Sequence, residues 1–162
     1  MENNLRGVFA EYLVAEVLGS GWQVKRGSWN EWDIDGPSGA RLEVKSASYL
    51  QTWTQAWSER TGYKPKPPQF GIAAHKYDFW LQPYPELKRP AHAYVFALHA
   101  EQNPDVADQR KLAQWRFFVV ASRDLPPKQK TISFGALVKR AELIAAHELK
   151  AEVARVLAGV LK

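Results

Sequence analysis

Trp32-Asp33-Ile34, Asp35-Gly36-Pro37-Ser38-Gly39-Ala40 and Arg41-Leu42-Glu43-Val44-Lys45 are the three consecutive pieces that decide how this chain is read. The outer two alternate apolar and polar residues, as half-buried strands do, and the middle one carries turn residues. Successive side chains on a strand point to opposite faces. Leu42 and Val44 therefore go one way and Glu43 and Lys45 the other, with Glu43 and Lys45 about 6–7 Å apart along the strand. The turn folds Asp33 back beside Glu43. Two carboxylates and an ammonium then converge at one end of a small sheet.

Two close carboxylates repel unless positive charge lies between them. Mg²⁺ suits the position: it is a hard ion that binds through one or two carboxylates and keeps waters for a substrate phosphate. Lys45 beside it could orient or deprotonate an attacking water, or offset charge on the transition state. That is the chemistry of phosphodiester hydrolysis. Glu-x-Lys recurs at Glu86-Leu87-Lys88 and Glu148-Leu149-Lys150. The first of these lies in a Pro-rich stretch without a strand pattern, and the second lies on a helical face. Only Glu43-Val44-Lys45 sits in an alternating strand behind an Asp and a tight turn. The plainer alternative for Glu43 and Lys45 is a surface ion pair.

With 162 residues, 46% of them hydrophobic, the chain is expected to form one domain over 1–162. No apolar run approaches the ~20 residues of a membrane helix. No signal-peptide pattern opens the sequence, so the cytoplasm is the default location. The absence of cysteine excludes disulfides and thiolate metal sites. A net charge of +5 favours a polyanionic partner. The aromatic content suits either core packing or base stacking.

From Asn4, a candidate N-cap, Leu5, Val8, Phe9, Tyr12, Leu13, Ala15 and Val17 outline an amphipathic helix that ends before Gly19-Ser20-Gly21, with Glu11 in its middle. Trp22 to Arg26 alternates as a strand. After Lys45, residues Tyr49, Leu50, Trp53 and Trp57 recur at helical spacing, with Gln51 and Gln55 one turn apart. Residues 58–90 form a Pro-rich, aromatic and basic excursion, either functional or covering a sheet edge. Lys64, Lys66 and Lys76 in it are candidate contacts for a nucleic-acid backbone. Ala93 to Leu98 and Trp115 to Val120 are continuous apolar runs, as in central strands buried on both faces. Ser133 is a candidate cap for a short helix. A long helical pattern over 136–162 offers its apolar stripe either to the sheet or to a homodimer seam. His75, His92, His99 and His147 lack metal-ligand spacing and read as packing or surface residues.

Glu11 within Phe9-Ala10-Glu11-Tyr12-Leu13-Val14-Ala15, the strand Trp22 to Lys25, Trp32-Asp33-Ile34 and Glu43-Val44-Lys45 together resemble the PD-(D/E)xK nuclease superfamily, which includes Holliday-junction resolvases. The order fits: helix with Glu, strand, strand with Asp, strand with Glu-x-Lys. Ser46 to Trp53, Tyr94 to Leu98 and Gln114 to Val120 look like a group of uncharacterised bacterial members. The resemblance implies a restriction-endonuclease-like α/β core, a central mixed sheet of about five strands flanked by helices with a long C-terminal helix. It implies that Asp33, Glu43 and the Val44 carbonyl hold Mg²⁺, with Mn²⁺ as a substitute, that Glu11 completes the shell directly or through water, and that Lys45 is the catalytic lysine. Gln51 corresponds loosely to polar residues after the motif. Trp32 stands where the motif name has Pro, and Asp35 competes with Asp33. The expected activity is an endonuclease on DNA, in repair, recombination or defence against foreign DNA. The alternatives are an RNA-directed nuclease and a non-catalytic nucleic-acid-binding or interaction module on the same fold.

Overall fold

The computed structural model describes residues 3–27, 30–50, 67–78 and 80–162. The elements run α1 (Asn3–Leu18), β1 (Gln23–Val24), β2 (Ile34–Asp35), β3 (Arg41–Ser48), β4 (Gln69–Gly71), β5 (His75–Tyr77), β6 (Pro83–Lys88), β7 (Ala93–His99), β8 (Trp115–Ala121), β9 (Thr131–Ser133), α2 (Phe134–Val138) and α3 (Ala146–Ala158). The chain is a mixed α/β protein around a five-stranded sheet of order β1-β2-β3-β7-β8. β1, β2 and β3 form an antiparallel meander, β7 joins β3 in parallel from Leu42↔Ala93 to Ser48↔His99, and β8 returns antiparallel to β7. β4 pairs with β9 and β5 with β6 as separate two-stranded ribbons.

Side-chain alternation splits the core into two. On one sheet face Leu42, Val44, Val95, Phe117 and Val119 pack against Ala10, Val14 and Leu18 of α1 and Leu149, Val153 and Leu157 of α3. On the other, Tyr94, Phe96, Phe118 and Val120 pack with Phe70, Ile72, Ile132 and Leu137. All seven residues of β7 are buried, as its apolar run implies. β8 is buried too but ends the sheet, and its outer edge is covered. Phe117 and Ile144 exchange both backbone bonds, 2.9 Å each way, which closes part of an exposed strand edge.

That bridge corrects the long helix expected over 136–162. Ile144 must be extended to pair with Phe117, so the helical pattern breaks into α2 and α3. Ser133 caps α2, accepting from the Ala136 amide at 3.2 Å. The apolar stripe of α3 is used inside the chain, against β8 and α1. The α1 helix ends at Gly19, whose φ of +87° suits a residue without Cβ. The chain is already helical at Asn3, so Asn4 lies inside the first turn rather than at the cap. Its apolar face also differs. Ala10, Val14 and Leu18 are buried, whereas Leu5, Val8 and Tyr12 face solvent. A helix apolar on most sides gives periodicity no single stripe to select.

The excursion over 58–90 holds β4, β5 and β6, and Glu86-Leu87-Lys88 is part of a strand despite its lack of a strand pattern. β3 continues to Ser48, Tyr49 and Leu50 follow it in a bend, and Trp53 and Trp57, with the rest of 51–66, lie outside the described residues. Among the described residues no helix is long and apolar enough to cross a membrane.

Gly36 sets the entry to the turn between β2 and β3. A Cβ there would stand 2.3 Å from the Trp22 ring, so only glycine lets the ring cover the turn. Gly36→Ala is expected to cost about 1–3 kcal/mol, as overpacking does. A thermal melt checks this, and an unchanged midpoint would mean that Trp22 does not hold the turn.

Candidate active site

β2 is short, and its shortness builds the site. Ile34 pairs with Leu42, and the Asp33 amide donates to the Leu42 carbonyl at 2.9 Å. One step on, the Asp33 side chain takes over from the ladder: its Oδ2 accepts the Val44 amide at 2.7 Å. A strand residue directs its N–H and C=O to the same edge, so the Val44 carbonyl faces the Asp33 side of β3. Glu43 and Lys45 share the opposite pleat face from Val44. Lys45 Nζ donates to Glu43 Oε1 at 2.5 Å.

Glu43 is 7% exposed and Asp33 and Lys45 are partly buried. Burial, and then the Asp33 charge against the relief from Lys45, raises the Glu43 carboxyl to about 7. Burial also raises Asp33, against the bond from Val44 and the charge of Lys45. Glu11, reaching across from α1, is raised to about 7 by burial and by the Asp33 and Glu43 charges. For Lys45, burial is the largest single influence and acts downward. Glu43, Asp33 and Glu11 together outweigh it and hold the amine above its usual range. Three carboxyls and one ammonium therefore form one electrostatic unit with an excess of negative charge.

Asp35 does not compete for the Asp33 position. It is exposed and accepts the Trp32 indole N–H at 2.7 Å. Trp32 is flanked by cations, with Lys25 Nζ 3.9 Å and the Arg41 guanidinium 4.9 Å from its ring. A cavity of about 850 Å³ lies beyond, lined by Tyr12, Glu16, Trp22, Lys25, Arg26 and Asp35. It contains none of Asp33, Glu43 and Lys45, so the acidic unit is a separate feature.

His75 departs from a plain packing role. Burial and then Lys45 lower its pKa, with Glu31 and Asp33 acting upward, so β5 starts beside the acidic unit. Tyr84 of β6 donates its hydroxyl to Glu31. No sequence spacing signals His75, because β5 reaches the site through tertiary packing. His99 is a core residue 3.0 Å from the Gln114 side-chain oxygen, and His92 stands against Arg41. Lys76 is exposed on β5, while Gln51, Lys64 and Lys66 lie outside the described residues.

The model of the bacteriophage T4 endonuclease IV family matches residues 1–78. That segment contains Glu11, Asp33, Glu43, Lys45 and His75. The match supports a nuclease at the coarse level of family. The chain matches no curated protein.

Proposed function

We propose that the chain is a divalent-cation-dependent endonuclease that hydrolyses DNA phosphodiester bonds, built as a PD-(D/E)xK enzyme. The observation that carries this reading is the cluster of Asp33, Glu43 and Lys45 along β3 beyond the short β2, with Glu43 buried, Asp33 and Lys45 partly buried, and the Glu11 carboxyl feeling their charges from α1. Its position in a segment that matches an endonuclease family adds support.

The donor set suits Mg²⁺ or Mn²⁺, because every candidate ligand is oxygen. Asp33 uses Oδ2 for Val44 and Glu43 uses Oε1 for Lys45, so Asp33 Oδ1, Glu43 Oε2 and the Val44 carbonyl are the atoms offered. Among the described residues no three His, Asp or Glu side chains form a ready cage. Glu11 then acts through water, as Mg²⁺ sites with few protein ligands allow. A bound cation would supply Lewis-acid stabilisation for charge on the phosphate oxygens.

The chain's own groups account for the rest. Asp33 and Glu43 position the cation. Glu11 orients a water by hydrogen bonding. Lys45, an ammonium in this setting, places positive charge against the phosphate as negative charge builds in the transition state, the role its raised pKa favours over that of a base. Lys25 and Arg41, braced on Trp32, offer phosphate contacts on the flank.

Plasmid, single-stranded and branched DNA, each incubated with the protein and Mg²⁺ or Mn²⁺, should be cut, and a chelator should stop it. RNA offered in competition should be cut more slowly. No cutting of any DNA would overturn the reading.

A further inference from the structure

Arg41, His92 and Arg123 stand in three neighbouring strands at one end of the five-stranded sheet. Arg41 opens β3, His92 precedes β7 and Arg123 follows β8. Backbone bonds hold them in step: the His92 amide donates to the Arg41 carbonyl at 2.8 Å, and the Ser122 amide donates to the His92 carbonyl at 3.0 Å. The His92 ring is less well matched. Its Nδ1 accepts the Arg41 amide at 3.1 Å, while its Nε2 lies 3.0 Å from Arg41 Nη2. A neutral imidazole has one acceptor nitrogen, and the backbone amide takes it. The second nitrogen then carries a proton and meets the guanidinium donor against donor. Burial and then Arg41 hold the ring's pKa below its usual value, which keeps it neutral. Arg41 Nε is buried and, among the described residues, donates to nothing. The Arg41 fork is therefore short of acceptors where it stands, and an anion supplies them.

A cleft of about 360 Å³ opens beside this ring, with Lys88, Arg89, His92 and Arg123 in its walls and no carboxylate among its lining residues. Arg89 is spent on the walls: Nε donates to the Ile72 carbonyl at 2.9 Å and Nη2 to the Pro126 carbonyl at 2.7 Å. It lends charge rather than donors. Lys88 and Arg123 are exposed. Asp124 lies 3.9 Å from Arg123, but both are exposed and such a pair holds weakly. The cleft adjoins the acidic unit. Arg41 and Glu43 share a face of β3 two residues, about 6–7 Å, apart, and Arg123 is two strand spacings, about 10 Å, from Arg41. Burial and then Glu43 raise the Tyr94 phenol while Arg89 acts the other way, so this buried ring joins the cleft wall to the site.

We propose that this cleft is a subsite for the DNA backbone, taking phosphates on the Arg123 side of the cleaved bond, with Arg41 turning from His92 to the phosphate nearest the cut. This rests on the endonuclease reading for its substrate. The charges favour a polyanion over a single phosphate. A row of cations about 10 Å long matches several phosphates, which rise about 3.4 Å each along a strand. The carboxylates beside it repel phosphate, so a strand that reaches them has to be held from the flank. Phosphate contacts of this kind hold any sequence alike.

The test uses fluorescein-labelled duplex and single-stranded oligonucleotides in chelator, where nothing is cut, over a series of salt concentrations. Lys88→Ala and Arg123→Ala should each reduce the slope of log affinity against log salt by about one, and the double variant by about two, whatever the sequence. Lys150→Ala removes an exposed cation from α3, which packs on the opposite sheet face, and should keep the wild-type slope. Thermal melts in inorganic phosphate form the second arm. If phosphate stabilises the wild type but not the double variant, while both bind DNA with one slope, the cleft takes free phosphate and the backbone subsite is overturned. If the double variant matches the wild type in slope and in melting, the cleft is no anion site, and cleavage by the wild type keeps the endonuclease reading. If the slopes fall as expected but the wild type cuts nothing with Mg²⁺ or Mn²⁺, the subsite stands and the endonuclease reading falls. A wild type that neither binds nor cuts DNA overturns both.

Discussion

Asp33→Asn and Glu43→Gln should each reduce DNA cleavage by about a thousandfold or more, and Lys45→Met by about a hundredfold to a thousandfold, the range for removing a preorganised charge from a transition state. The isosteric choices matter. An Asn at 33 still accepts the Val44 amide, and a Gln at 43 still accepts from Lys45, so the local hydrogen bonds survive. Stability should move the other way from activity. Glu43→Gln removes the most buried of three mutually repelling carboxylates, so the protein without a divalent cation should melt at the same temperature or higher. Lys45→Met removes the cation that offsets those carboxylates and should melt lower. A purely structural Glu43–Lys45 ion pair implies the reverse for Glu43→Gln, a loss of stability with no loss of a catalytic function. Steady-state cleavage alongside thermal melts of the same variants separates the two.

The second large effect is on pH. The Glu43 and Glu11 carboxyls are raised from 4.5 to about 7. Between those values the folded chain binds more protons than the unfolded one, so its stability falls as pH rises through that window. In chelator the protein should therefore be more stable at about pH 5 than at about pH 8. For Glu43 the difference is on the order of 3 kcal/mol at most, with a smaller share from the half-exposed Glu11. Mg²⁺ should restore stability at the higher pH and do little at the lower, because protons and the cation compete for the same oxygens. Thermal melts at the two pH values, with and without Mg²⁺, read all four states. A stability that rises from about pH 5 to about pH 8 in chelator would contradict the crowding of carboxyls on which the site rests.

Much of this site is visible in the sequence because its residues are local. Asp33, Glu43 and Lys45 fall within one hairpin, whose turn chemistry and alternation decide the pleat faces, and Glu11 stands on a helix with a clear stop at Gly19. The apolar runs of β7 and β8 identify strands, though not that β8 lies at the edge, because Ile144 covers it from far along the chain. The same bridge divides the C-terminal helix, and a helical period cannot announce a partner that takes its residues into a ladder. β5 and β6 are short and Pro-rich, so their pattern is weak, and His75 arrives beside Lys45 only through the packing of that ribbon. The Lys25–Trp32–Arg41 stack is equally hidden, since its three members come from three segments.

Calorimetric titration of Mn²⁺ into the wild type and into Asp33→Asn tests the central claim most directly. One class of saturable site in the wild type, abolished or weakened at least tenfold in Asp33→Asn, is the expected result. Equal binding to both proteins, or none to the wild type, would contradict a cation held between Asp33 and Glu43.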